Sequence, residues 1–277
     1  MNDPWAGFLI SSTAWQGVRH SEAISAVRAA GFGGVEILCK PGHFEHDNSA
    51  HVSEAQAALA EWPDAIVTFH APFHTADLGS ADSAIWDEDV RHVAQALRVA
   101  STFRAESATL HVRSRGEGMN WASENLPAFR RALDVLVPIA AACRMTLSVE
   151  NTNRFTSEPE DLLRLIETHP ADLVGVCIDT GHAHLAGETI LIAGMLAPRA
   201  FVMHIHDNHA QARDEHLIPG QGTIPWAELV EALQTHGFAG RCVIEVVTSD
   251  PLDKTLGSVK EAILQTGISE LVGGENG

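Results

Sequence analysis

The chain has 277 residues, 45% of them hydrophobic, and carries 36 Asp and Glu against 18 Lys and Arg for a formal charge of −18. That apolar fraction suffices for a large folded core and excludes a disordered or collagen-like chain. The charge opposes nucleic-acid phosphates and anionic membranes, and no basic cluster offsets it.

The amino-terminal stretch MNDPWAGFLISSTAW has no positive segment leading into an apolar run. Nowhere do about 18 uncharged apolar residues follow one another. These features predict a cytoplasmic protein without a membrane anchor. Cys39, Cys143, Cys177 and Cys242 lie far apart in apolar segments with no CxxC pair, which predicts reduced, buried thiols.

From one end to the other, short β-branched runs alternate with longer stretches of helical period. A strand at Phe8–Ser11 precedes a helix at His20–Ala30, and a strand at Gly34–Leu38 precedes one at Val52–Glu61. The pattern repeats with Ile66–His70 and Ile85–Phe103, Ala108–Val112 and Ala122–Ala142, and Thr146–Glu150 and Pro159–Thr168. It ends with Val174–Asp179 and Glu188–Leu196, Phe201–His206 and Trp226–His236, and Val243–Val247 and Leu256–Gln265. Eight such units predict an α/β fold, a single (β/α)8 TIM barrel, where a doubly wound sheet would use fewer strands. No linker divides residues 1–277, so one domain is expected, with a frayed tail over 270–277.

Strands of a parallel barrel are buried on both faces, so ionisable residues at their ends are costly unless something binds or neutralises them. Here they recur at six strand ends: His70, His111, Glu150, Asp179 with His182, His204 and His206 with Asp207, and Glu245. Asp214 and His216 follow in the loop after the seventh strand. All fall on the rim where barrels of this kind build their sites. Imidazoles and carboxylates meeting at one spot suit a divalent ion, Zn2+, Mn2+, Mg2+ or Co2+. Glu150, Asp179, His204 or His206, and Glu245 form its expected centre, and the two histidines share a face of the seventh strand.

Each residue also has a plainer reading. Asp179 before Thr180 and Gly181 suits an Asx-turn or a helix cap, and Glu245 suits an ion pair with Arg241. His20, His43, His46, His51, His92, His169, His184 and His236 are expected to be solvated or capping residues, with His74 and His209 on rim loops. The acidic run AIWDEDV reads as a solvated first helical turn, and no GxGxxG motif follows a strand.

Two stretches, ENTNRF from Glu150 and PGQGTIPW from Pro219 to Trp226, resemble the ketose 3-epimerases, and CIDTGH is similar to the wider xylose isomerase-like barrel superfamily. That resemblance spans nearly the whole chain. It implies a sugar or sugar-phosphate isomerase or epimerase that holds one divalent ion through Glu150, Asp179, Glu245 and the His204/His206 strand. His182 and Arg213 would then orient the sugar, with His70 and His111 in reach of it, and Glu150 and Glu245 would be the catalytic pair. Thr156 departs from the epimerase pattern, where a further Glu is usual.

A second resemblance crosses the first. His70, His111, Glu150, Asp179, His182, His204, Asp214, His216 and Glu245 are similar to the nine-ligand set of endonuclease IV, which implies three Zn2+ ions and phosphoester hydrolysis. The charge of −18, the absence of Tyr, and only Arg113 and Arg115 as phosphate candidates speak against a nucleic-acid substrate. A sugar-binding barrel without turnover is a third reading. Homo-oligomers are common among such barrels, and the sequence marks no pairing face.

Overall fold

The computed structural model of the protein describes residues 3–112, 125–152, 158–211 and 213–272. Eight strands run parallel in chain order: β1 (Phe8–Ser11), β2 (Gly34–Leu38), β3 (Ile66–His70), β4 (Ser107–Leu110), β5 (Thr146–Glu150), β6 (Val174–Asp179), β7 (Ala200–Ile205) and β8 (Arg241–Ile244). Each pairs with the next, and β8 closes on β1 to complete the barrel. Five strands have the bounds expected from the sequence, while β4, β7 and β8 begin earlier. The shift at β8 has a simple cause. Arg241 pairs with Val202 in the ladder while its side chain lies in solvent, so its charge hides it from a search for apolar runs.

The described helices are α1 (His20–Ala29), α2 (Ser49–Ala60), α3 (Ser83–Thr102), α4 (Leu126–Ala142), α5 (Pro159–Ile166), α6 (Thr180–Leu185), α7 (Thr189–Leu196), α8 (Trp226–Thr235) and α9 (Leu252–Gln265). Their apolar stripes cover the outer face of the barrel. In α3, Val90, Val93, Ala94, Leu97 and Ala100 recur at helical spacing and are all buried. Side-chain caps explain two starts: Asn48 accepts from the amides of Ala50 and His51, and Asp82 from those of Ala84 and Ile85.

One helix per strand was the expectation, and β6 departs from it. It leads into α6 before α7, and Asp179 caps α6 by accepting from the His182 amide at 2.7 Å. Residues 122–124 of the expected fourth helix lie outside the described residues, as do Arg113, Arg115 and Thr156. Glu270 and Leu271 belong to a 3-10 turn over Ile268–Leu271, so the frayed segment expected from residue 270 does not begin there. None of the described helices is long and apolar enough to cross a membrane. All four cysteines are free, Cys143 half-buried and the other three buried.

The barrel interior is not apolar throughout. Leu9, Cys177, Val202 and Val243 form a small core of their own inside it. Toward the carboxyl ends of the strands, Glu36, Thr68, Ser148 and His204 are fully buried. Barrel interiors are usually filled by branched aliphatic side chains, so this polar change marks the end that carries a site.

Candidate metal centre

Strand direction brings the candidate residues to one rim. His70, Glu150 and Asp179 end β3, β5 and β6, while His111, His206 and Glu245 follow β4, β7 and β8 directly. His204 is the last but one residue of β7, and His182 lies in the first turn of α6. Asp179, His204 and His206 are 0% exposed and Glu150 is 1% exposed.

Glu150 is the hub. Its Oε2 lies 2.7 Å from His111 Nε2, 3.5 Å from His70 Nε2 and 3.5 Å from His204 Nδ1. Its Oε1 lies 3.1 Å from His182 Nδ1. Glu245 Oε2 approaches the same His204 Nδ1 to 3.0 Å. On the other side of His182, Asp214 Oδ2 is 3.3 Å from its Nε2 and 2.9 Å from His216 Nε2.

These distances suit hydrogen bonds, but several of the directions do not. His182 Nδ1, His204 Nδ1, His206 Nδ1 and Asp214 Oδ1 are buried and make no hydrogen bond. Orphaned buried polar atoms need an explanation, and an ion held by neighbouring donors would provide one. Ligands held about 2.0–2.2 Å from one divalent ion stand about 3.0–3.5 Å apart, which matches these spacings. Among the described residues several triads have donor atoms mutually within 4.8 Å, among them His70, His111 and Glu150; His70, His204 and Glu245; Glu150, Asp179 and His182; and His206, Asp214 and His216. The residues therefore fit a divalent cation.

The electrostatics agree. Burial alone would raise the Glu150 carboxyl, yet His111, His182 and His70 hold it well below the usual range. Burial likewise opposes ionisation of Glu245, and His204 with His216 overcomes it. Burial lowers His111, but His182 and His204 rise well above the ordinary histidine value, because Asp179, Asp214 and Glu150 outweigh desolvation at His182, and Cys177 with Glu36 and Glu245 does so at His204. The carboxylates of the cluster favour the charged form of His182 and His204, and the histidines favour ionised Glu150 and Glu245.

The scaffold around the cluster fixes its geometry. Asn151 accepts from the Asp179 amide at 2.5 Å and donates to its carbonyl at 3.1 Å, tying the ends of β5 and β6 together. Asp207 is fully buried and is pinned by the amides of Asn208, Gly220 and Ile224 and by Trp226 Nε1. PGQGTIPW is therefore a loop folded around one carboxylate, with Gly220 at φ +87. His216, on the same loop, stacks on His206 with ring centroids 4.0 Å apart and sits at φ +49, a backbone region that disfavours a β-carbon.

A cavity of about 260 Å3 opens above the cluster. Thr13, Gln16, Lys40, Phe73 and His74 wall it beside His70, His111, Glu150, Asp179, His182, Asp214, His216 and Glu245. Arg213, expected to orient a sugar, is exposed and is not part of this wall. His206 lies behind the wall residues Asp179, Asp214 and His216, with its Nε2 against both Asp179 oxygens. Arg241 pairs with Glu106, so the ion pair with Glu245 does not form.

Residues 24–266 match the model of the xylose isomerase-like TIM barrel family. The chain belongs to that family. Among relatives of this xylose isomerase-like barrel, D-psicose 3-epimerase of Ruminiclostridium cellulolyticum is 24% identical over 238 residues, covering 80% of this chain and 76% of the relative. Among solved structures, a D-tagatose 3-epimerase-like protein superposes with a TM-score of 0.79 at 23% identity, covering 95% of this chain and 97% of the other. The IolI protein with a binding zinc atom gives a TM-score of 0.79 at 16% identity, covering 96% and 99%.

The sequence of this xylose isomerase-like barrel hid several contributors. Glu36 in GVEIL sits two strands from β8 and its Oε2 approaches His204 Nε2 to 3.2 Å, but a glutamate inside an apolar run has no periodic signal. Cys177 lies with Glu150 and His204, where burial pushes its thiol up to about 12. His20 and His46, expected to be solvated or capping, are each only 4% exposed. Trp15 Nε1 donates to His20, and the Cys39 thiol sits 3.5 Å from His46 Nδ1. Asp89 of the acidic run is buried too, accepting from the Asp77 amide at 2.7 Å. His74 reaches the cavity wall, whereas His209 stays exposed beside Glu215.

Proposed function

We propose that the protein is a divalent-metal-dependent isomerase or epimerase of a sugar or sugar phosphate. One observation carries the proposal: Glu150 and Glu245, from β5 and β8, bring carboxylate oxygens to 3.5 and 3.0 Å of the same nitrogen, His204 Nδ1. Two ionised carboxylates thus flank one spot in the wall of the cavity. Glu150, Asp179, His204 and Glu245 would hold the ion. When bound, a divalent ion supplies Lewis acidity toward a ketone carbonyl and the hydroxyl beside it.

The remaining chemistry belongs to the side chains. A ketose lying in the cavity presents the C–H next to its carbonyl between the two glutamates. One carboxylate removes that proton, and the other returns a proton from the opposite face, which inverts the carbon. Return to the adjacent carbon gives aldose–ketose isomerisation instead. His182, His70 and His111 line the same wall and offer imidazole groups to the sugar hydroxyls. The relationship to D-psicose 3-epimerase supports this reading.

A second reading has its own observation. Asp214, 3.3 Å from His182 and 2.9 Å from His216, forms a donor cluster beside Glu150 that a single-ion epimerase does not need. Nine donors of this kind could hold three Zn2+ ions, which suits hydrolysis of a small phosphoester. Incubation of Mn2+-, Co2+- or Zn2+-loaded protein with ketoses in D2O separates the two. Deuterium entering the carbon beside the carbonyl, lost in Glu150→Gln and Glu245→Gln, supports the isomerase. Phosphoester cleavage without exchange, with about three zinc ions per chain by elemental analysis, supports the hydrolase.

A further inference from the structure

Below the metal cluster, β2 carries Glu36 into the barrel, where it is 0% exposed. Its Oε2 lies 3.2 Å from His204 Nε2 and accepts the Thr68 hydroxyl at 3.2 Å. Its Oε1 has no partner, and among the described residues no Arg or Lys pairs with it. A carboxylate kept only for structure would have both oxygens satisfied or would be replaced by a neutral side chain of the same shape. Among the described residues, the one titratable group that Glu36 pairs with is His204.

The His204 imidazole spans two environments. Nε2 faces Glu36, whereas Nδ1 faces Glu245 and Glu150 at 3.0 and 3.5 Å without a hydrogen bond. A neutral imidazole has one N–H and one lone pair, and the proton belongs on the nitrogen whose carboxylate neighbour is placed to accept it, which here is Nε2 toward Glu36. The other nitrogen then has its lone pair free, with greater basicity, toward the cluster. His206, two residues along, is engaged by Asp179 instead, so the two histidines of this strand have different anchors.

We propose that Glu36 is a positioning residue: it holds His204 with the proton on Nε2 and so makes Nδ1 the atom offered to a metal ion. The inference rests on the reading of His204 as a metal ligand, which the isomerase and hydrolase readings share, and on nothing else in either. Glu36 itself is fully buried and is not among the residues that wall the cavity.

Protein with nitrogen-15-labelled histidine, loaded with NMR-active cadmium, tests the geometry directly. The cadmium coupling of His204 falls on Nδ1, and the Nε2 proton is retained. In parallel, calorimetric titration with Zn2+ compares wild type with Glu36→Gln, which keeps the side-chain volume. The variant binds Zn2+ about 10- to 100-fold more weakly, the range typical of lost carboxylate–histidine support. Cadmium coupling on Nε2 in the wild-type protein overturns the proposal without recourse to any variant. So does Glu36→Gln binding Zn2+ within about twofold of wild type. Absence of Zn2+ and Cd2+ binding by the wild-type protein would overturn the metal reading itself, and this inference with it.

Discussion

His206 Nε2 sits 2.9 and 3.0 Å from the two carboxylate oxygens of Asp179, so one imidazole braces the whole edge of that carboxylate. Asp179 is thereby held in place from β7 while its backbone is held from β5 by Asn151. His206→Ala should weaken Zn2+ binding about 10- to 100-fold without abolishing it, whereas Asp179→Ala should abolish it. Calorimetric titration distinguishes the two. Equal losses in both variants would mean that His206 is a ligand in its own right.

Gly181 has no room for a side chain. A β-carbon there would overlap the His206 ring, with Nδ1 at 2.6 Å and Nε2 at 2.8 Å. Gly181→Ala should therefore push His206 off Asp179, costing about 1–3 kcal/mol of stability and about tenfold or more in Zn2+ affinity. Chemical denaturation and metal titration check this pair of effects. An unchanged affinity would refute the bracing role assigned to His206.

Metal affinity should depend on pH with a defined sign. Burial alone would lower His216, but the Asp214 hydrogen bond and the Glu245 charge carry it up to about 9. His182 and His204 are raised as well. Raised imidazoles hold their protons more tightly in the metal-free protein, and a nitrogen must lose its proton before a cation can use it. Affinity should rise as pH increases toward about 9, with protons released on binding. Titration in buffers of different ionisation enthalpy measures that release, and a flat profile would contradict it.

Asp207 is a stability determinant and lies outside the ligand set. Asp207→Ala would leave the amides of Gly220 and Ile224 and the indole N–H of Trp226 without their acceptor. A loss of about 3 kcal/mol or more is expected in denaturant unfolding. The loop carrying Asp214 and His216 should loosen with it. Unaltered stability would show that solvent replaces the carboxylate at no cost.

Much of this arrangement is legible in the sequence because a parallel barrel imposes a strong grammar. An ionisable residue at the end of an apolar run, as in TLSVE or VCID, marks both strand and rim. Both readings of Asp179 hold together, since it caps α6 through Oδ1 and stands among the candidate ligands. What the sequence hides is direction and contact. Glu36 and Cys177 face the interior because of strand parity relative to the barrel, and apolar neighbours on both sides conceal it. His20 and His46 look like surface residues until Trp15 and Cys39 fold over them. Arg213 stands one residue from Asp214, yet a loop has no periodicity to tell which of the two turns inward.

The positive φ of His216 has a consequence for how this family member balances durability against use. Glycine or asparagine would occupy that backbone conformation more easily, and nothing in the loop turn itself calls for an imidazole. The histidine stands there at a backbone cost while its ring reaches Asp214 at 2.9 Å and the Glu245 carbonyl at 3.0 Å. Backbone strain thus sits in the rim at the residue that faces Asp214, so relieving it by glycine at this position would trade a donor of the site for an easier turn.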